Sequence, residues 1–304
     1  MKNTLLCSVL VLGGLLAACA SSTTRGVETT MAKMLISTDQ ETQLGLQLKN
    51  DLDQNQKIVY MTDPEVVGYV RGIADKILQF AKRDRTDIQW QVFVIDDANT
   101  VNAFATPGGY LYVYRGLLQT ATNEAELAGV MAHEAGHVVA RHAARGLVAE
   151  HGIDAVTALA LGNNPGLLGK LTANIAAKGV LLSHSRADET EADEYGARYA
   201  STAGYDPHGL VTLFDKFKAK EGNTPGFLAY LSDHPATQER IDYLNGYMTK
   251  NGLRGAELGA AAYGRIRTRL ATLPTAARAP AGVPPSVSGK PAAGAPPVAA
   301  PPAL

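Results

Sequence analysis

The chain has 304 residues, of which 46% are hydrophobic and 19% are charged, and its formal net charge is −1. These values are ordinary for a globular protein with one large domain or two small ones. The neutral balance and the absence of a Lys/Arg cluster exclude the basic surface that nucleic-acid binding requires, so no nucleic acid is expected as a partner.

The first residues have the pattern of a bacterial lipoprotein signal. Lys2 precedes an apolar run over residues 5–16, which is short for a membrane span and closes on small residues. The Leu-Ala-Ala run before Cys19 resembles a lipobox, which implies cleavage before Cys19 and lipidation of its thiol. Ala20 does not match an inner-membrane retention signal, so we expect a lipid anchor in the outer membrane, on its periplasmic face. The alternative is an ordinary signal peptide with an incidental cysteine.

The chain is expected to contain one folded domain between two low-complexity segments. After the signal peptide of residues 1–18, residues 19–35 are Ser/Thr-rich and predict a tether. Residues 273–304 consist mainly of Pro, Ala and Gly, which cannot bury a core, and predict a disordered tail. The intervening residues 36–272 are predicted to form the domain.

The start of this domain predicts two helices followed by a small sheet. Ser37 can cap a first helix, and Asp63-Pro64 begins a second helix with apolar residues at helical spacing. Residues 88–95 then alternate with period two, which indicates a strand. Two more short strands, 101–105 and 110–114, are joined by a Pro-Gly-Gly turn.

The last of these strands is expected to lie at an edge of the sheet, just before the candidate metal helix. An extended substrate can pair with such an edge by β-augmentation. Substrate contact is therefore predicted for Asn102, Gly109, Tyr110, Leu111 and Tyr112. Equally, the strand could serve only to close the sheet.

The segment from His133 to His137 has residue types and spacing that specify chemistry. Two histidines four apart lie on one helix face and can reach a single ion, while Glu134 can act as general base toward a water on that ion. Asn123 can cap the helix, and Glu126 completes a capping pair. The alternative is a chance match in which both histidines are hydrogen-bonded without metal.

Beyond the metal helix, the pattern predicts further helices. Gly146 can end the metal helix. Residues 153–182 form two apolar runs broken at residues 163–165, and could be buried helices, a lid or a membrane-contacting surface. Later helices are predicted to begin at Ser185, at Asp206-Pro207 and at Asp233-His234-Pro235, with a last run to about Leu273.

A catalytic zinc site needs a third protein ligand. His142 misses the position six residues after His137 by one residue, about 100° of helical rotation. The helix from Ser185 offers several carboxylates. Glu189 and Asp193 are four apart and share a face, so Glu189 could bind zinc while Asp193 orients a histidine. The alternative is a solvated acidic start of a helix.

Four stretches together resemble one family. H-E-A-G-H-V-V-A-R-H and S-R-A-D-E-T-E-A-D resemble the two signatures of the HtpX and CAAX-prenyl-protease family of zinc metallopeptidases. N-A-F-A-T-P-G-G-Y-L-Y-V and D-H-P-A-T-Q-E-R-I are similar to its other recurring stretches. The resemblance covers about residues 37–247. We expect an α+β domain of gluzincin type, mostly helical, with a small β-sheet beside the metal helix.

The resemblance also implies roles for individual residues. It makes Glu189 the third ligand and Asp193 its supporting residue. His234 matches a histidine that lies near the metal in some relatives and can assist or block it, and Arg240 matches an arginine close to the cleft. Either side chain could stabilise the oxyanion. Alternatively, Asp233-His234-Pro235 only starts a helix. The remaining histidines (142, 151, 184 and 208) are expected to be structural.

These residues predict a zinc metalloendopeptidase with one Zn²⁺ per chain and Glu134 as its base. The lipobox resembles that of the periplasmic lipoprotein branch of the family, which implies unfolded or misassembled envelope proteins as substrates and a role in quality control. The alternative is a periplasmic chaperone or assembly factor for outer-membrane components with little or no proteolysis, in which His234 could close the site. A zinc amidase acting on cell-wall peptides is a weaker third possibility.

Overall fold

The computed structural model describes residues 36–56, 58–220, 230–231 and 234–274. The signal peptide, the tether, Cys19, Asp233 and all but the first two residues of the tail lie outside this part, so the predictions for them stay predictions. The α+β class is confirmed by the elements, which are α1 (Thr38–Gln54), α2 (Pro64–Asp84), β1 (Gln91–Ile95), β2 (Ala103–Thr106), β3 (Tyr110–Tyr114), α3 (Arg115–Thr120), α4 (Glu124–Val139), α5 (His142–His151), α6 (Ile153–Ala160), α7 (Pro165–Lys178), α8 (Arg186–Thr202), α9 (Gly209–Lys220), α10 (Gln238–Lys250) and α11 (Ala260–Thr272).

Local capping chemistry sets the starts of most of these helices. Ser37 and Gln40 form a reciprocal capping box at α1, and Asp63 caps α2 by accepting from the backbone N–H of Val66 at 3.0 Å. Asn123 caps the metal helix α4 by accepting from Glu126 N–H at 2.9 Å. These predicted starts are confirmed.

The three strands form one mixed sheet in the order β1-β3-β2, with β1 parallel and β2 antiparallel to β3. The first strand is shorter than predicted and begins at Gln91. The prediction that β3 lies at an edge is wrong, because Tyr110 pairs with Gln91 on one side and with Thr106 on the other. All five residues of β3 are buried. Such an uninterrupted buried run is typical of a central strand covered on both faces.

The sheet separates two apolar layers. One face packs against α2 and α4, and the other against α1, α6 and α7, so that burial of apolar surface holds the sheet between helices. The side chains of the first face are Val92, Val94, Ala103, Leu111 and Val113, and those of the second are Ile95, Phe104, Tyr110, Tyr112 and Tyr114.

Two glycines allow α4 and α8 to pack closely. A Cβ at Gly136 would lie 2.9 Å from the carbonyl oxygen of Ala192, and one at Gly196 would lie 3.1 Å from the backbone nitrogen of His133. Side chains at either position would push the helices apart. This close approach brings the carboxylates of α8 to the histidines of α4.

The metal helix ends earlier than the sequence predicts. α4 stops at Val139, and Arg141 adopts a left-handed conformation with φ of 63°, after which α5 begins. Gly146 lies inside α5, so the prediction that it ends the metal helix is wrong. Tertiary contacts explain the early stop, because Glu41 holds Arg141 Nε at 2.8 Å and the carbonyl of Ile36 accepts from its Nη2 at 2.7 Å.

Residues 153–182 form α6 and α7, separated at Asn163-Asn164-Pro165 as predicted. Their inner side chains, including Val156, Leu159 and Ile175, are fully buried in the layer that contains α1. Residues 153–182 were predicted to form buried helices, a lid or a membrane-contacting surface. The inner faces of α6 and α7 agree with the first of these, buried helices. Within the described ranges, no helix combines the length and apolar character that crossing a membrane demands.

The last part of the domain brings α8 and α10 to the metal helix. The helix start predicted at Ser185 is confirmed, and Ser185 caps α8 in a reciprocal box with Asp188. The predicted start of a helix at residue 233 is wrong, because α10 begins at Gln238 and Thr237 is its cap, accepting from the backbone of Arg240 at 3.2 Å. His234 is consequently left in an irregular segment before α10.

Candidate metal centre

Four side chains from three parts of the fold converge beside α4. His133 and His137 lie one turn apart on α4, with their Nε2 atoms 3.0 Å apart. Glu189 comes from α8, and His234 comes from the segment before α10. All four side chains are buried, and their ligand atoms lie within 4.8 Å of one another.

The separations of these atoms fit one tetrahedral ion. Zinc binds histidine nitrogen at about 2.0–2.1 Å, so neighbouring ligand atoms in a tetrahedral site are about 3.4 Å apart. Glu189 lies 3.5 Å from His133 Nε2 and 3.4 Å from His137 Nε2. His234 Nδ1 lies 3.2 Å from His133 Nε2 and 3.0 Å from Glu189. Three imidazoles and one carboxylate are a donor set that suits zinc.

Asp193 supports His133 from behind. Its Oδ1 lies 2.9 Å from His133 Nδ1, so the other ring nitrogen, Nε2, points to the cluster. Arg240 donates to both oxygens of Asp193 at 2.6 and 2.9 Å, and its Nη1 lies 2.7 Å from Glu189. The structure thus brings Asp193 to the position where the sequence predicts a supporting carboxylate.

The electrostatics of the cluster favour a cation. Burial opposes the charge on Glu189, but His234, His133 and His137 outweigh it and hold the pKa of Glu189 well below its usual range. Burial likewise opposes the charge on Asp193, and Arg240 reverses the effect, so that its pKa is lowered. Burial also lowers the pKa of His133, but hydrogen bonds to Asp193 and Glu189 raise it to about 9. Two ionised carboxylates therefore face the histidines.

Arg240 is placed differently from the prediction that it stabilises an oxyanion. Its Nε and Nη2 donate to Asp193, while Nη1 donates to the carbonyl of Pro235 at 3.1 Å and lies against Glu189. Every nitrogen of the guanidinium already has a partner, and the residue is 7% exposed. The geometry corrects the predicted role, because the guanidinium of this arginine is paired with two carboxylates and a backbone carbonyl.

Glu134 lies beside the cluster without joining it. It is buried on α4, and its Oε1 is 3.4 Å from His234 Nε2. His234 therefore faces Glu189 with one ring nitrogen and Glu134 with the other. A carboxylate next to the metal ligands, but outside the set, is what a general base requires.

The structure adds three side chains that the sequence interpretation missed. His142 Nδ1 lies 2.8 Å from His137 Nδ1, and the ring of His184 stacks on that of His137 with centroids 4.0 Å apart. The ring of Tyr230 stacks on His234 at 4.9 Å, and its buried hydroxyl has no hydrogen-bond partner among the described residues. Only the nearness of His142 to the motif and of His184 to Ser185 hinted at these positions.

The residues predicted to contact substrate lie in β3 and next to the ends of the strands. Tyr110, Leu111 and Tyr112 are buried in the layers on either side of the sheet. Gly109 has φ of 89° in the turn, and a Cβ there would lie 2.3 Å from Ile88. Asn102 is buried, accepting from Ala103 N–H at 2.8 Å and donating to Gly179 at 3.3 Å. Because β3 pairs on both sides, an extended substrate cannot add to Tyr110–Tyr112 as an edge strand, whereas substrate contact at Asn102 and Gly109 stays a prediction.

The chain is similar to known metallopeptidases. Residues 64–248 match the sequence model of peptidase family M48. The chain is 37% identical over 173 residues to the mitochondrial metalloendopeptidase OMA1 of Schizosaccharomyces pombe, covering 57% of this chain and 50% of that protein. It is 33% identical to the metalloprotease LoiP of Escherichia coli, covering 55% and 65%. The beta-barrel assembly-enhancing protease of Escherichia coli is 27% identical, covering 70% and 44%. The chain thus spans between 44% and 65% of these relatives' lengths.

Proposed function

Because this chain belongs to peptidase family M48, we propose that it is a zinc-dependent metalloendopeptidase with one Zn²⁺ per chain. The observation that carries the proposal is the buried cluster of ligand atoms at tetrahedral spacing, with a carboxylate beside it. His133, His137 and Glu189 are the proposed ligands. Glu134 is the proposed base.

The residues around the centre divide the chemical work. When bound, the ion would act as a Lewis acid toward water and the scissile carbonyl. Glu134 would accept a proton from the attacking water and pass it to the leaving amine. Asp193 orients His133, and Arg240 keeps the carboxylates of Asp193 and Glu189 in place. Burial of the cluster strengthens these electrostatic interactions.

His234 is proposed to block the centre in the described conformation. A catalytic site needs an open position for water, and His234 Nδ1 takes the fourth corner of the ligand set. The other three donors lie on α4 and α8, whereas His234 lies outside the regular helices, in the segment before α10. The proposal therefore requires His234 to leave the fourth corner before cleavage.

The edge of β2 is the proposed place for an extended substrate. β2 is an edge strand of the described sheet and contacts α4, the helix of the metal cluster. Its residues Ala103–Thr106 pair with β3 on one side. An added strand would form main-chain hydrogen bonds on the other side, which suits unfolded chains of many sequences.

The cell envelope is the proposed site of action. One bacterial relative supports it by name, the beta-barrel assembly-enhancing protease of Escherichia coli. The lipobox-like run before Cys19 supports a lipid anchor on the periplasmic face of the outer membrane. We propose unfolded or misassembled envelope proteins as substrates, quality control as the role, and the periplasmic lipoprotein branch as the place in the family.

The proposed domain spans residues 36–272, after a signal peptide and tether and before a tail.

Metal removal tests the proposal. The purified protein should contain about one zinc per chain, and it should cleave an unfolded test protein such as reduced casein. A chelator should abolish cleavage, and added Zn²⁺ should restore it, because the ligands lose their function without the ion. Elemental analysis and a gel assay measure both quantities. If the purified protein contains no zinc, or if a chelator leaves cleavage unchanged, the metallopeptidase proposal is wrong.

The position of His234 also supports a second candidate function, a chaperone or assembly factor whose closed metal site rarely cleaves. The variant His234→Ala separates the two. For a peptidase blocked by His234, opening the fourth corner should raise cleavage on the order of tenfold, which corresponds to about 1.4 kcal/mol. His208→Ala is the control, because His208 is exposed and contacts Asp206 away from the centre. If the His234 variant stays inactive while retaining zinc and envelope-assembly function, the chaperone candidate is favoured.

A further inference from the structure

We propose that His142 is a positioning residue that holds His137 in the tautomer and orientation needed for metal binding. The proposal rests on the proposed function, because it takes His137 as a ligand. His142 belongs to neither the ligand set nor the H-E-x-x-H motif. Its ring is fully buried, and it contacts the side of His137 that faces away from the metal cluster.

The two nitrogens of His137 have different surroundings. Nε2 lies 3.0 Å from His133 Nε2 and 3.4 Å from Glu189, so it points to the proposed ion. Nδ1 lies 2.8 Å from His142 Nδ1. A ligating Nε2 carries no proton, so a neutral His137 carries its proton on Nδ1. At that distance this N–H donates to the unprotonated Nδ1 of His142.

The far side of His142 enforces the same pattern. Its Nε2 lies 3.2 Å from Glu191 and 3.3 Å from Asp188. Ionised carboxylates only accept hydrogen bonds, so a neutral His142 carries its proton on Nε2 and has Nδ1 as an acceptor. Arg145 holds the carboxylate of Asp188 at 2.6 Å. The result is a chain of hydrogen bonds in which His137 donates to His142, and His142 donates to a carboxylate.

The backbone explains why a residue five positions after His137 can reach it. On a continuous helix, residue 142 would lie about 140° around the axis from residue 137. Arg141 instead adopts a left-handed conformation and starts a new helix at His142. This break folds His142 back onto His137. The two ligands of α4 therefore have different supports, a carboxylate for His133 and a second imidazole for His137.

A second metal ion is the main competing explanation of the same contacts. His137, His142 and His184 also lie within 4.8 Å of one another and could hold an ion. An ion there would bind His137 through Nδ1, which removes the proton that the positioning proposal requires. The number of zinc ions per chain and the protonation of His137 Nδ1 therefore distinguish the two explanations.

The test compares His142→Phe with His142→Asn in the full chain. Phenylalanine keeps a ring but removes the acceptor, whereas the side-chain oxygen of asparagine can take the position of Nδ1. We expect the Phe variant to bind zinc 10- to 100-fold more weakly in competition with a chelator, and the Asn variant to stay close to wild type. His208→Phe is the control at an exposed histidine, and thermal melts report on folding.

The protonation of His137 can also be measured directly in the wild-type protein, without any variant. Nitrogen-15 NMR of the histidine rings in the metal-free and zinc-loaded protein should show His137 protonated on Nδ1 in both states. Protonation on Nε2 in the metal-free protein would overturn the proposal, as would wild-type zinc affinity in the Phe variant. A second zinc ion that is lost in the Phe variant would make His142 a ligand and also overturn it. A wild-type protein that binds no zinc at all would instead refute the proposed function.

Discussion

Replacing Glu134 with glutamine is expected to lower cleavage of an unfolded protein by about 10²- to 10⁴-fold, the range that a positioned general base contributes. Glutamine has nearly the same shape but cannot accept the proton of the attacking water. Glu134 lies outside the set of four ligand atoms, so the variant should keep about one zinc per chain. A peptide-cleavage assay and metal analysis on the same preparation measure both effects.

Glu124→Gln is the matched control for this variant. Glu124 is also a buried glutamate of α4, but it lies ten residues earlier, about 15 Å along the helix axis. Its carboxylate accepts hydrogen bonds from Tyr69 and Tyr205, away from the metal cluster. The control should cleave within about threefold of wild type. Equal cleavage by wild type and Glu134→Gln would show that Glu134 is not the base.

Much of the helical part of the fold was predictable because its signals are local. Caps at Ser37, Asp63, Asn123 and Ser185 satisfy backbone groups within one turn of the chain, so the sequence alone indicates them. The order of strands is different, because it depends on contacts between residues distant in the sequence. β3 follows β2 in the chain but lies between β2 and β1, and only its uninterrupted apolar run indicated a central position.

Some residues of the metal centre were likewise predictable from local sequence, whereas the roles of others depend on contacts between distant elements. His133, Glu134 and His137 form a local pattern, and the spacing of four residues placed Glu189 and Asp193 on one helix face. The roles of the remaining side chains depend on how the elements meet. Partners of Arg240 come from α8, and the contact between His142 and His137 depends on the left-handed backbone of Arg141. No local pattern indicates such an arrangement.

The buried pair between Arg240 and Asp193 gives the largest expected effect on stability. Asp193 is fully buried, and Arg240 supplies two hydrogen bonds to it and a close contact to Glu189. In Arg240→Met, both carboxylates would remain buried without their cation. Breaking a buried ion pair by removing one partner costs about 3–5 kcal/mol, so we expect that loss in the free energy of unfolding of the metal-free protein. Urea denaturation measures it.

Arg269→Met provides the comparison, because Arg269 also pairs with an aspartate, Asp63 at 2.7 Å, but its side chain is 46% exposed. Solvent screens an exposed pair, so this variant should lose much less stability than Arg240→Met. The variant Asp193→Asn combined with Arg240→Met should recover part of the loss, because it removes the charge that the single change leaves uncompensated. Bound zinc should also narrow the difference between wild type and Arg240→Met, since a cation beside Glu189 replaces part of the missing positive charge. If Arg240→Met and Arg269→Met lose equal stability, the buried guanidinium does not hold the carboxylates of the metal centre in place.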